Sequence, residues 1–171
     1  MLEFYTSDVF TDRAFAGNPL AIVLGADALT PRQMQTLARE FNLSETIFVQ
    51  APANPAHTAR VRIFFPTAEI PFAGHPTIGC AIHLALAMGD GDFDRRLVLE
   101  EEAGLVPVRV RRQGAEVRAE FVAPVIPHAV TDAPDLPRAL DPARLAAALG
   151  LTATDIGIGT HRPGLWQGGP R

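Results

Sequence analysis

Three separated stretches carry side chains able to hold an anion or move a proton. In one, Phe72, Ala73, Gly74, His75, Pro76 and Thr77 lead into a long apolar run. Gly74 leaves the backbone bare, and the N–H groups of a helix's first turn carry partial positive charge that suits a carboxylate or enolate oxygen. His75 stands beside those donors, either as a working group or as a structurally hydrogen-bonded histidine in a tight turn. In another stretch, Glu45 follows Ser44 and directly precedes an apolar strand, residues 46–50. A strand entrance can desolvate a carboxylate in part, which suits it to exchanging a proton with carbon; the plain alternative is a solvated surface glutamate. Asn18 lies between Gly17 and Pro19, where it makes a turn or offers its amide to a substrate polar group, and local composition favours the turn. Glu69 is a further acidic candidate in a connecting segment, otherwise a solvated loop residue.

These groups need a scaffold, and the hydrophobic pattern predicts one. From Ile78 to Met88 the side chains are small or apolar on nearly every face, interrupted by His83, as in a helix surrounded by protein. The run is too short to cross a bilayer. Pro76 fits its first turn and Gly89 the left-handed residue that ends it. Residues 2–10, 20–24, 46–50 and 60–65 read as strands before that helix; 96–100, 105–111 and 116–121 do so after it, with a hairpin turn at Gln113 and Gly114. Arg109, Arg111 and Arg118 fall on the solvent face of the hairpin and serve solubility. Thr30, Pro31 and Gln33 make a capping box, and Met34, Leu37, Ala38 and Phe41 share one face, so an amphipathic surface helix ends near Asn42. His57, in a Pro- and Ala-containing loop, reads as exposed.

Strands on both sides of an apolar helix imply an α+β domain, a sheet curled around a central helix, over residues 1–122. Pro124, Pro127, Pro134 and Pro137 mark a linker over residues 123–140. Asp141, Pro142, Leu145, Leu149 and Gly150 outline a short capped helix opening a second domain, residues 141–171, whose hydrophobic pattern is incomplete.

Composition removes several chemistries. All 15 basic residues are Arg, against 19 acidic ones. Without lysine there is no Schiff base, no pyridoxal-phosphate anchor and no P-loop. The net charge of −4 and the scattered arginines argue against a nucleic-acid surface. The single cysteine, Cys80, allows no internal disulfide and reads as a buried small hydrophobe. His57, His75, His83, His128 and His161 lack metal-set spacing, so no metal is expected. Residues 1–10 resemble neither a signal peptide nor a membrane anchor, and a cytoplasmic location is the expectation.

Taken together, Phe15 to Leu20 (Phe15, Ala16, Gly17, Asn18, Pro19, Leu20), Phe41 to Thr46 (Phe41, Asn42, Leu43, Ser44, Glu45, Thr46) and Phe72 to Thr77 resemble the PhzF-like family of phenazine biosynthesis. The resemblance covers about the first 120 residues. It implies a diaminopimelate epimerase-like fold, two halves each with a sheet around a helix, and a cleft between them. It further implies a cofactor-independent isomerase acting on a small carboxylated metabolite. Glu45 would be the acid/base, with Gly74 and His75 holding substrate at the helix entrance and Asn18 a further substrate contact. No cofactor is implied, and the family suggests a homodimer. Ala73 stands where related epimerases and racemases have cysteine, so two-cysteine racemisation is not expected. The acidic, Gly-containing loop of the family's second half has no counterpart in these 171 residues, which predicts half a cleft. The competing expectation is a binding module or inactive N-terminal fragment, which binds ligand without turnover.

Overall fold

The computed structural model describes residues 2–130, 140–157, 159–161 and 163–168. Two compact units emerge, Met1–Pro124 and Val125–Gly169. In the first, β1 (Glu3–Val9), β2 (Asn18–Leu24), β3 (Glu45–Gln50), β4 (Ala59–Phe64), β5 (Glu69–Ile70), β6 (Phe93–Glu101), β7 (Gly104–Gln113) and β8 (Glu116–Phe121) form one sheet. Its order is β1-β2-β3-β4-β6-β7-β8, with β5 on β4. The β2–β3 and β4–β6 pairs are parallel and the rest antiparallel.

The sheet curls around helix α2 (Gly74–Ala87), which packs against β1, β2, β3, β6, β7 and β8. Helix α1 (Pro31–Phe41) covers part of the opposite face through Met34 and Ala38, which join Val23, Phe48 and Phe64 in a separate small core. This layering accounts for the strand patterns. Leu20 to Val23 and Thr46 to Val49 are buried without alternation because helices cover both faces there. In β6, Leu97 and Leu99 face α2 while Arg96 stays outward, the period-2 pattern of a half-covered strand.

The capping box on α1 forms as expected: Thr30 Oγ1 accepts from the Gln33 N–H at 3.3 Å, and Gln33 Oε1 accepts from the Thr30 N–H at 2.9 Å. Helix α2 is enclosed from His75 to Ala81 and again at Ala85, whereas Leu86 and Met88 are exposed. The expectation of a helix surrounded throughout therefore holds only for its first turns, which lie in the hollow of the sheet. Gly89 takes φ +137°, outside the left-handed helical region, and Met88 caps the helix in the right-handed one.

Three loop assignments change. Asn18 is the first residue of β2, paired with Val9, rather than a turn residue. Glu69 is not a solvated loop residue: it lies in β5 and accepts from Arg62 Nε and Nη2 at 2.7 and 2.6 Å. His57 is half-buried, its Nδ1 2.7 Å from Glu100 Oε1. Glu100 also accepts from the Ala53 and Asn54 N–H groups, and these bonds pull its carboxyl down to about 2, with His57 adding to the shift. The hairpin arginines do face solvent, paired with Asp94, Glu116 and Glu120.

In the second unit, α3 (Pro142–Leu149) begins where Asp141 accepts from the Ala143 N–H at 3.0 Å and ends at Gly150, φ +70°. Two short strands, β9 (His128–Ala129) and β10 (Trp166–Gln167), pair antiparallel. Pro134 and Pro137, cited for the linker, lie outside the described residues. No described helix is long and apolar enough to cross a membrane.

Candidate active site

Parallel pairing of β2 with β3 sets Leu20 against Glu45, bringing the start of both strands to one end of the sheet. Alternation then fixes the faces. Leu20 and Ile22 of β2 and Ile47 and Val49 of β3 pack in the α2 core, so Asn18 and Glu45 belong to the same α2-facing register. The mouth of α2 completes the arrangement.

Ala73, extended at φ −150°, ψ 138°, offers no side-chain cap to that helix. Thr77 N–H closes the first intrahelical bond on the Ala73 carbonyl at 3.3 Å. Pro76 has no N–H, so the Gly74 and His75 amides are the donors that this turn leaves without an intrahelical partner. Among the described residues, a Cβ on Gly74 would meet Phe121 Cζ alone, at 3.5 Å. The protein's own packing therefore does not require glycine here, and the bare backbone serves whatever approaches from the open side.

His75 Nδ1 lies 3.0 Å from Glu45 Oε2, with the two side chains 6% and 14% exposed. The approach is short but poorly aligned for a hydrogen bond, and Glu45 Oε2 and His75 Nε2 are both buried without a hydrogen-bond partner among the described residues. Burial lowers the His75 pKa from its ordinary value, while the Glu45 charge and the Pro19 backbone oppose that change. The imidazole is accordingly held neutral near neutral pH, able to donate from one nitrogen and accept at the other. Buried polar atoms left unpaired in this way mark a place built to receive another group.

Asn18 stands at the rim, exposed, its Oδ1 accepting from Ser44 Oγ at 2.9 Å. Ser44 also contacts the Pro19 carbonyl at 3.3 Å, tying the loop before β3 to the start of β2. Ser44 was not singled out from sequence; its place directly before Glu45 was the available signal. The four expected site residues, Asn18, Glu45, Gly74 and His75, thus converge at the sheet end and the helix mouth, whereas Glu69 is engaged with Arg62 elsewhere. A hollow of about 1060 Å³ lies away from this pair, between Val9 and Arg13 on one side and Val117 on the other, over Ile78 and Gly79. It contains none of the four.

A family model described as phenazine biosynthesis-like protein matches residues 7–158. The chain belongs to the PhzC-PhzF family. An uncharacterized isomerase of Mesorhizobium japonicum is 46% identical over 162 residues, 95% of this chain and 51% of that protein. Trans-2,3-dihydro-3-hydroxyanthranilate isomerase of Pseudomonas aeruginosa is 40% identical over 164 residues, 96% of this chain and 55% of that protein. Among solved structures, one described as a predicted epimerase from Pseudomonas aeruginosa superposes with a TM-score of 0.74 at 30% identity, over 95% of this chain and 55% of that one. The chain spans about half the length of the curated relatives it matches. The sheet curled around α2 is the diaminopimelate epimerase-like architecture expected from the sequence.

Proposed function

We propose that this chain carries the acid/base half of a cofactor-independent PhzF-like isomerase. Glu45 takes a proton from one carbon of a small carboxylated substrate and returns it to another, so the reaction needs neither oxidant nor reductant. The Gly74 and His75 amides hold the carboxylate or the enolate oxygen that forms as the proton leaves, where preorganised donors stabilise developing charge. Neutral His75 stands against the carboxyl of Glu45 and offers a donor within the same site. Asn18, fixed by Ser44, contacts a polar substrate group at the rim.

The observation that supports this most is the 3.0 Å approach of His75 Nδ1 to Glu45 Oε2, with the atoms Glu45 Oε2 and His75 Nε2 buried and without a hydrogen-bond partner among the described residues, beside an uncapped helix mouth. Family membership supports the reaction class, and the name of the Pseudomonas aeruginosa relative supplies the substrate to try. The test is deuterium incorporation from D2O during isomerisation of trans-2,3-dihydro-3-hydroxyanthranilate. It is run on this chain and on this chain continued with the remaining half of that relative. Incorporation is expected in the continued protein, and Glu45→Gln lowers its rate on the order of 10³-fold, the scale of a lost acid/base group. Incorporation that survives Glu45→Gln removes Glu45 from the mechanism. A folded continued protein that binds the compound without exchange leaves a binding module and ends the isomerase reading.

A further inference from the structure

The isomerase reading makes no use of Glu101, the last residue of β6, although it is only 8% exposed. Its Oε1 lies 2.7 Å from Thr77 Oγ1 in the first turn of α2, and its Oε2 has no hydrogen-bond partner among the described residues. The Thr77 hydroxyl lies equally close, 2.7 Å, to the carbonyl oxygen of Ala73. That carbonyl immediately precedes Gly74 and His75. The β6–β7 turn is tied to the same segment from the other side, where Ala103 N–H donates to the Pro71 carbonyl at 3.0 Å.

A hydroxyl has one proton to give. If Glu101 is ionised, Thr77 must choose between the carboxylate and the Ala73 carbonyl. If Glu101 is protonated, its hydroxyl donates to Thr77 Oγ1 and Thr77 donates to Ala73, so all three groups are bonded in series. No ion pair to Glu101 occurs among the described residues. From α2, the titratable neighbour is the fully buried Cys80 thiol, which burial pushes up and keeps neutral. Across β7 its partner is Gly104, followed on the inner face by Val106, Val108 and Val110. On β4, Ala59, Val61 and Ile63 face the core while Arg60 and Arg62 turn outward, Arg62 onto Glu69. Glu100, on the other face of β6, is engaged with His57. On β8, Ala119 and Phe121 face the core, with Glu120 turned to the arginines. From β5, Ile70 faces the core and Glu69 holds Arg62.

We propose that Glu101 is a positioning residue whose protonated carboxyl, acting through the Thr77 hydroxyl, fixes the Ala73 carbonyl and with it the Gly74–His75 turn, and whose ionisation loosens that turn. The inference deepens the isomerase reading, since it concerns the turn that would hold substrate, but the linkage exists with or without turnover. Desolvation agrees with the geometry, raising the Glu101 carboxyl to about 7, with the Thr77 bond a smaller opposing influence.

The experiment follows the Glu101 side-chain carboxyl carbon and the Gly74 and His75 amides by NMR in the 171-residue chain over about pH 5 to 9, without substrate. The carboxyl is expected to titrate with a midpoint of about 7, and the Gly74 and His75 amides to shift with the same midpoint. In Thr77→Val the carboxyl still titrates but the amides lose that midpoint. In Glu101→Gln, whose amide can donate to Thr77 as the protonated acid does, the amides stay at their low-pH positions throughout. A carboxyl that titrates in the ordinary carboxylate range overturns the proposal, as do amides that keep the midpoint in Thr77→Val. If Glu101→Gln does not fold, the wild-type and Thr77→Val titrations decide. Failure here leaves the isomerase reading intact, and loss of deuterium exchange alone leaves this linkage intact.

Discussion

Glu101 and His75 flank the first turn of α2 with opposite responses to pH, although burial is the dominant cause for both. Burial favours the uncharged form, which is the protonated acid for a carboxyl and the deprotonated base for an imidazole. The unfolded chain releases the Glu101 proton around 4.5 and the folded chain around 7. Below that window both states hold the proton, and the contribution is fully present. As pH rises through it, the folded state is held to a proton the unfolded state has lost, so stability falls, by up to about 3 kcal/mol. His75 works the other way: its folded pKa lies below 6.5, so its contribution is present above 6.5 and is lost as pH falls. Denaturant midpoints measured across pH should therefore fall between pH 4.5 and 7 less steeply in Glu101→Gln than in the wild type. Equal slopes in the two proteins would mean that Glu101 is not the group titrating. Neither the burial of Glu101 nor its bond to Thr77 was legible in the sequence. Glu100, Glu101 and Glu102 form an acidic run in the sequence, and the strand register turns the middle one inward.

Helix α2 and the strands under it are held at a distance set by Gly79. A Cβ there would come within 2.6 Å of Leu20 Cδ2 and 2.7 Å of Val9 Cγ2, both buried side chains of the adjacent strands. Gly79→Ala adds helix propensity of about 1 kcal/mol, while overpacking at such a contact costs about 1–3 kcal/mol. A net loss of up to about 2 kcal/mol is expected in chemical denaturation, because two side chains rather than one must give way. A gain in stability would mean that Leu20 and Val9 repack freely and that the helix-to-sheet distance is not fixed there. Sequence patterning did locate the elements themselves. The capping box at Thr30 and Gln33, the apolar run after Pro76 and the hairpin at Gly114 each follow from local geometry, which a sequence expresses directly. The last turn of α2 escaped it. Leu86 and Met88 look as apolar as Ile78, and nothing local says where the covering sheet stops.

Among the described residues, the two hydrophobic cores draw their buried residues from the first unit, between Val9 and Val110. In the second unit, Ala146 is the buried hydrophobic residue among those described. The described residues of that unit bury too little apolar area to offset their chain entropy. A chain ending at Pro124 is therefore expected to keep a cooperative unfolding transition and the far-UV circular dichroism of a curled sheet, whereas residues 125–169 alone should show no transition. Loss of cooperativity in the shortened chain would show that the second unit is needed for the first to fold. Most element types, the apolar helix at the centre and the family were legible before any fold was known, because these rest on local pattern and motif spacing. The sequence also named Asn18, Glu45, Gly74 and His75. Strand packing alone revealed that Glu45 Oε2 and His75 Nδ1 meet at 3.0 Å, that Ser44 braces Asn18, and that Glu101 rather than Glu69 is the buried carboxyl near the helix mouth. Those facts depend on strand register and on the curl of the sheet, through which residues far apart in the chain become neighbours.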